Sequence, residues 1–83
     1  MNLNLLSKVE IDILKYLWVE KLIDQMNSRT IRNIAKGINL NYYRVRSNLN
    51  HLLLLKMVKQ GFKEKSSNTF YITKEGINEI KEI

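Results

Sequence analysis

Tyr43, Arg46, Ser47 and Asn50 can all hydrogen-bond, and they recur three or four residues apart in the segment 42–56. On an α-helix that spacing puts them on one face. Val45, Leu49 and Leu52 recur on the opposite side, with Leu53 and Leu55 at its flanks, so the segment reads as a helix with one buried and one polar face. The polar face holds no acid. Nor does the whole run from Gln25 to Phe62, which carries Arg29, Arg32, Lys36, Arg44, Arg46, Lys56 and Lys59. Extended to Lys65, the stretch from Ser28 holds nine cations and one anion, Glu64, for a net of +8. The remainder holds five cations and seven anions, a net of −2, and together they give the chain its +6. A basic middle between near-neutral ends is the electrostatic footprint of a surface for a polyanion.

Other chemistries find little support. With no Cys and a single His, His51, neither a disulfide framework nor a zinc set can be drawn, and no metal or cofactor is expected. His51 reads as a solvent-facing or hinge-packed residue. No Ser/His/Asp set, Gly-rich phosphate loop or close pair of buried carboxylates emerges. The acids fall on what read as exposed faces of the first and last helices, so no enzyme is expected. At 83 residues the chain is one small domain, able to bury only about 60% of its unfolded surface. No apolar stretch approaches the roughly 20 residues a bilayer requires. Met1–Asn4 lacks a basic n-region and a small-residue cleavage site, so the expected location is the cytoplasm, with no membrane partner.

The elements that must position the polar face can be read along the chain. Helix 1 spans about 7–23. Ser7-Lys8-Val9-Glu10 is a capping box, Leu6 and Ile11 can staple across it, and Leu14, Leu17 and Trp18 form an apolar stripe. Trp18 and Phe62 are assigned to the core. Helix 2 spans about 30–38, capped by Thr30, with Ile31, Ile34, Ala35 and Ile38 on one buried face. Asn39 is suited to a left-handed backbone in the turn that follows, and Asn41 can cap the next helix, about 42–56. Val58–Glu64 and Thr69–Thr73 read as two strands joined by Lys65-Ser66-Ser67-Asn68, with Phe70 and Ile72 inward and Tyr71 outward. Thr73 can cap a last helix, about 74–83, that aligns Ile77, Ile80 and Ile83.

That order, with its residues, resembles the winged helix-turn-helix superfamily. Ile34-Ala35-Lys36-Gly37-Ile38-Asn39-Leu40-Asn41-Tyr42-Tyr43-Arg44-Val45 is similar to the superfamily's Leu-Ala-x-x-Leu-Gly-Leu-Ser-x-x-x-Val core. Phe70-Tyr71-Ile72-Thr73-x-x-Gly76 is similar to the segment that closes the wing in MarR-like and PadR-like regulators. The likeness runs from about Ser7 to Ile80. It departs where Asn39 replaces the usual turn Gly, where Lys56-Met57-Val58 lacks the Gly that commonly ends the third helix, and where Arg32 and Asn33 replace an early acid of helix 2.

The resemblance implies an α+β fold: a three-helix core, a two-stranded β-wing over about 58–73 and a short C-terminal helix. It also implies double-stranded DNA as the partner, with the third helix in the major groove. Tyr43, Arg46, Ser47 and Asn50 are then the base-reading candidates, since Arg can bridge guanine O6/N7 and Asn adenine N6/N7. Arg29, Arg32, Lys36, Arg44, Lys63 and Lys65 are phosphate candidates; Ser66 and Asn68 belong to the wing, and Tyr42 divides between core packing and a phosphate contact. Leu54 is an apolar residue on the polar face, suited either to the wing strands or to a partner.

The expected function is a small regulator that represses by occupying its site. The alternatives are a winged-helix module for protein contact and a sequence-neutral architectural DNA binder. No ligand pocket for a small molecule is evident. Regulators of this kind gain specificity by two-fold pairing, so a homodimer is expected. Leu3, Leu5, Leu6, Ile77, Ile80 and Ile83 are available for it unless they fold back on helix 1.

Overall fold

Each helix begins on the cap that its sequence offers. The structure, a computed structural model, describes residues 6–81. Along them run α1 (Lys8–Val19), β1 (Arg29–Thr30), α2 (Ile31–Ile38), α3 (Tyr42–Leu54), β2 (Val58–Gln60), β3 (Thr69–Ile72) and α4 (Lys74–Lys81). At α1, Ser7 Oγ accepts from the Glu10 N–H and Glu10 Oε1 from the Ser7 N–H, completing the capping box. Thr30 accepts from the Asn33 N–H, Asn41 from the Arg44 N–H at 2.8 Å, and Thr73 from the Gly76 N–H. Caps of this kind stabilise by about 1 kcal/mol each.

The helix ends explain two shortened boundaries. Helices α1, α2 and α3 each close on a left-handed residue: Lys21 (φ 59°), Asn39 (φ 59°) and Lys56 (φ 62°). The next residue's N–H then reaches back five positions, Leu22 to Leu17, Leu40 to Ala35 and Met57 to Leu52. α1 therefore stops at Val19 rather than near 23, and Leu22 turns in so that its carbonyl accepts the Ile72 N–H at 2.9 Å. α3 likewise stops at Leu54 rather than 56. α4 runs through Lys81, the last residue described.

The sheet has three strands in the order β1-β3-β2, all antiparallel. Two were expected. The extra strand, Arg29–Thr30, pairs Arg29 with Phe70 and Thr30 with Thr69, and two residues are too few to display an alternation. The hairpin also departs from expectation. β2 ends at Gln60, the Gly61 N–H still reaches the Thr69 carbonyl at 3.0 Å, and the next bridge is Glu64–Ser67. Gly61, Phe62 and Lys63 there stand opposite only Asn68 and Thr69, a bulge. The Phe62 N–H leaves the ladder for the Gln25 carbonyl, 3.1 Å away. Phe62, assigned to the core from sequence, is 59% exposed as a result.

The core gathers Leu6, Ile13, Leu14, Leu17 and Leu22 with Ile34, Ala35, Val45, Leu49, Leu52, Val58, Phe70 and Ile72. Trp18 is a second correction. Ile13, Leu14 and Leu17 point the buried face of α1, leaving Trp18 on its flank and 39% exposed, with Lys81 Nζ 5.7 Å from its ring centroid. Leu6 is buried, and Ile77 and Ile80 pack against this same core, so the fold-back arrangement holds for these three. Leu3, Leu5 and Ile83 lie outside the described residues. Thr73 and Gly76 join the wing to the end of α3. The Thr73 hydroxyl donates to the Lys56 carbonyl and its N–H to the Met57 carbonyl. A Cβ on Gly76 would collide with the Met57 carbonyl and Ile72. The architecture is the α+β winged helix implied by the motif order.

Candidate nucleic-acid interface

The starts of α2 and α3 and the tip of the β2–β3 hairpin enclose an open concavity of about 1190 Å³. Arg32 and Lys36 come from α2, Tyr42, Tyr43 and Arg46 from α3, and Lys65, Ser66 and Asn68 from the hairpin; Glu64 is the acid on its wall. Among the described residues, Arg32, Lys36, Arg44, Arg46, Lys63 and Lys65 form no ion pair within the chain. Four free cations thus line one hollow beside the free N–H groups that open α2 and α3, a combination that favours an anion.

The other candidates sit apart. Ser47 and Asn50 are exposed farther along α3 and do not line the concavity; Arg44 and Lys63 are also exposed outside it. Tyr42 is 41% exposed and stacks edge-on against Tyr43 at 5.3 Å, so it is not a core residue. Leu54 is 80% exposed and does not tuck under the wing strands. Arg29 is already occupied: it donates to the Tyr16 hydroxyl at 2.6 Å and pairs with Glu20 at 3.3 Å. That engagement argues against a free role at phosphate.

Two sets of residues that hold the site were not found by sequence reasoning. Glu10 was placed with the exposed acids, yet it is only 4% exposed and its second carboxylate oxygen pairs with His51 on α3. Thr69, 2% exposed, donates to the Phe62 carbonyl at 2.7 Å and lies 2.9 Å from the Ser28 hydroxyl, pinning the hairpin base to the loop before β1. The capping box did mark Glu10, but nothing in the sequence marks its partner, 41 positions on. Among the described residues, no group of three or more His, Cys, Asp or Glu is placed to hold a metal, and no helix is long and apolar enough to cross a membrane.

No family model matches the chain. It is 34% identical over 77 residues to the DNA-binding protein TubR of a Clostridium botulinum C phage, covering 93% of this chain and 95% of that protein. The chain belongs to the TubR family. The solution structure of a DNA-binding TubR fragment from Clostridium botulinum superposes with a TM-score of 0.76 at 32% identity, over 93% of this chain and 95% of the fragment. MepR, a transcription regulator of Staphylococcus aureus, shares the fold with a TM-score of 0.78 at 18% identity. This chain is 93% covered in that match and spans about half of MepR, 54%.

Proposed function

We propose that this chain binds double-stranded DNA sequence-specifically and regulates transcription by occupying its site. The observation that carries the reading is the concavity, where Arg32, Lys36, Arg46 and Lys65 face one hollow with no ion partner among the described residues. Its shape suits a duplex edge: the start of α3 enters the major groove while the hairpin tip follows the adjoining backbone. Tyr43 and Arg46 are assigned to base edges, with Ser47 and Asn50 extending the contact along α3. Arg32, Lys36, Arg44, Lys63 and Lys65 are assigned to phosphates, joined by Tyr42, Ser66 and Asn68. The TubR relative is a DNA-binding protein, and MepR has been solved in complex with DNA.

Selection from random duplexes followed by a salt titration tests this. An enriched motif is expected. If about 4–8 phosphates are neutralised, log affinity for it should fall against log salt with a slope of about −4 to −7. Binding without enrichment would favour the sequence-neutral architectural reading. Absence of binding at low salt would leave protein contact as the function of the same surface.

A further inference from the structure

The start of α1 is fastened to one flank of α3 by two rungs in step. Ser7 Oγ donates to Asn48 Oδ1 at 3.1 Å, and three residues on, Glu10 Oε2 pairs with His51 Nδ1. With Glu10 as a carboxylate, which only accepts, the pairing uses the imidazole tautomer that has its hydrogen on Nδ1. The other polar atoms of Glu10 and Asn48 are committed as well. Glu10 Oε1 takes the Ser7 N–H at 2.9 Å, and Asn48 Nδ2 donates to the Arg44 carbonyl at 2.7 Å. Glu10 is thereby satisfied although its side chain is 5% exposed.

Burial alone does not fix the roll of a helix. Val45, Leu49 and Leu52 anchor α3 in the core, but the hydrophobic effect is non-directional and depends on area. A roll of about 10° changes little buried area, yet it carries side-chain tips about 1 Å sideways on a helix about 10–12 Å across. Base-edge contacts tolerate about 0.5 Å. The directional groups on this flank of α3 are the two rungs. We infer that Glu10 and His51, with Ser7 and Asn48, are positioning residues that set the roll of α3 and hence which bases its outer face can read. The inference rests on the DNA-binding reading.

The test compares affinity for a selected duplex and for a scrambled one, below the unfolding temperature of each variant. His51→Leu removes one rung at a half-exposed position and Asn48→Ala removes the other. Each should weaken the selected duplex about tenfold, the scale of one misaligned base contact, while the scrambled duplex and the salt slope stay unchanged. His51→Asn, whose amide nitrogen falls where Nδ1 does and can donate to the same carboxylate, should keep discrimination. Equal losses on both duplexes, or none on either, would overturn the positioning role. A wild-type protein that binds both duplexes equally would overturn it too, because no discrimination would exist to set. Only a wild-type protein that binds neither would fail the DNA-binding reading itself, and the inference would fall with it.

Discussion

Lys65 occupies a backbone conformation that its side chain disfavours. It has φ 58° at the first corner of the two-residue turn closed by Glu64 and Ser67, while Ser66 has no positive φ, the pattern of a type II′ turn. Glycine is usual there, and a residue with a Cβ held at such a positive φ costs about 1–3 kcal/mol. The strain holds an ammonium group at the mouth of the concavity. Lys65→Gly should therefore stabilise the fold by about 0.5–1 kcal/mol, after glycine's own entropy cost, and reduce the salt slope by about 1. Lys21→Gly removes a Cβ from the left-handed backbone that ends α1, outside the basic run, and should also stabilise, with DNA affinity unchanged. Thermal melts and salt titrations of the pair check both halves; an unaltered slope in Lys65→Gly would remove Lys65 from the phosphate set. At this scale the sequence was legible where one residue type does one local job, as with the caps Ser7, Thr30, Asn41 and Thr73. It was silent on Lys21, Lys56 and Lys65, because lysine does not announce a left-handed backbone, which the surrounding bonds impose.

The hairpin is only as rigid as its base. β2 contributes three residues and the ladder is broken by the bulge at Gly61–Lys63, so the strands alone hold the tip weakly. Ser28 Oγ, within 3.0 Å of both the Gln25 carbonyl and Thr69 Oγ1, and Thr69 Oγ1 on the Phe62 carbonyl together tie it to the loop before β1. Gly61 leaves room for that hydroxyl, since a Cβ there would meet Ser28. Thr69→Val keeps the shape and deletes the donor. It should cost about 1–3 kcal/mol, the range for a buried polar group left unpaired, and speed hydrogen exchange at the Gly61 and Phe62 amides. Unchanged protection at those amides would show that the strands suffice. Helices with strong periodicity, α2 above all, were plain in the sequence, as was the alternation of Phe70 and Ile72. β1 and the bulge were not, because both come from long-range pairing: a two-residue strand has no period, and Phe62 is turned outward by a carbonyl 37 positions earlier in the chain, that of Gln25.

One protomer presents one concavity, and a single helix with its wing buries only about 600–1,000 Å² on DNA. Long sites are usually read by two copies related by a two-fold axis, so we propose that this chain pairs. The residues first suited to that role are largely spent: Leu6 lies in the core, and Ile77 and Ile80 pack against it. The exposed apolar surface lies elsewhere, at Val19 (72%), Ile23 (45%) and Met26 (82%) around the end of α1, and at Leu54 (80%) on α3. Isolated exposed apolar residues are ordinary, but a run of them beside the half-exposed Trp18 is the kind of face that a second copy covers. Light scattering across a concentration series should give a particle about twice the 9.9 kDa chain at high micromolar concentration. Val19→Asp and Leu54→Asp then locate the seam, because both positions are exposed enough to take a charge without unfolding the monomer. The pair should split with Val19→Asp and persist with Leu54→Asp if the end of α1 forms the interface; the reverse result would move the seam to α3. A 9.9 kDa particle at every concentration would end the case for a dimer and leave recognition to a single protomer.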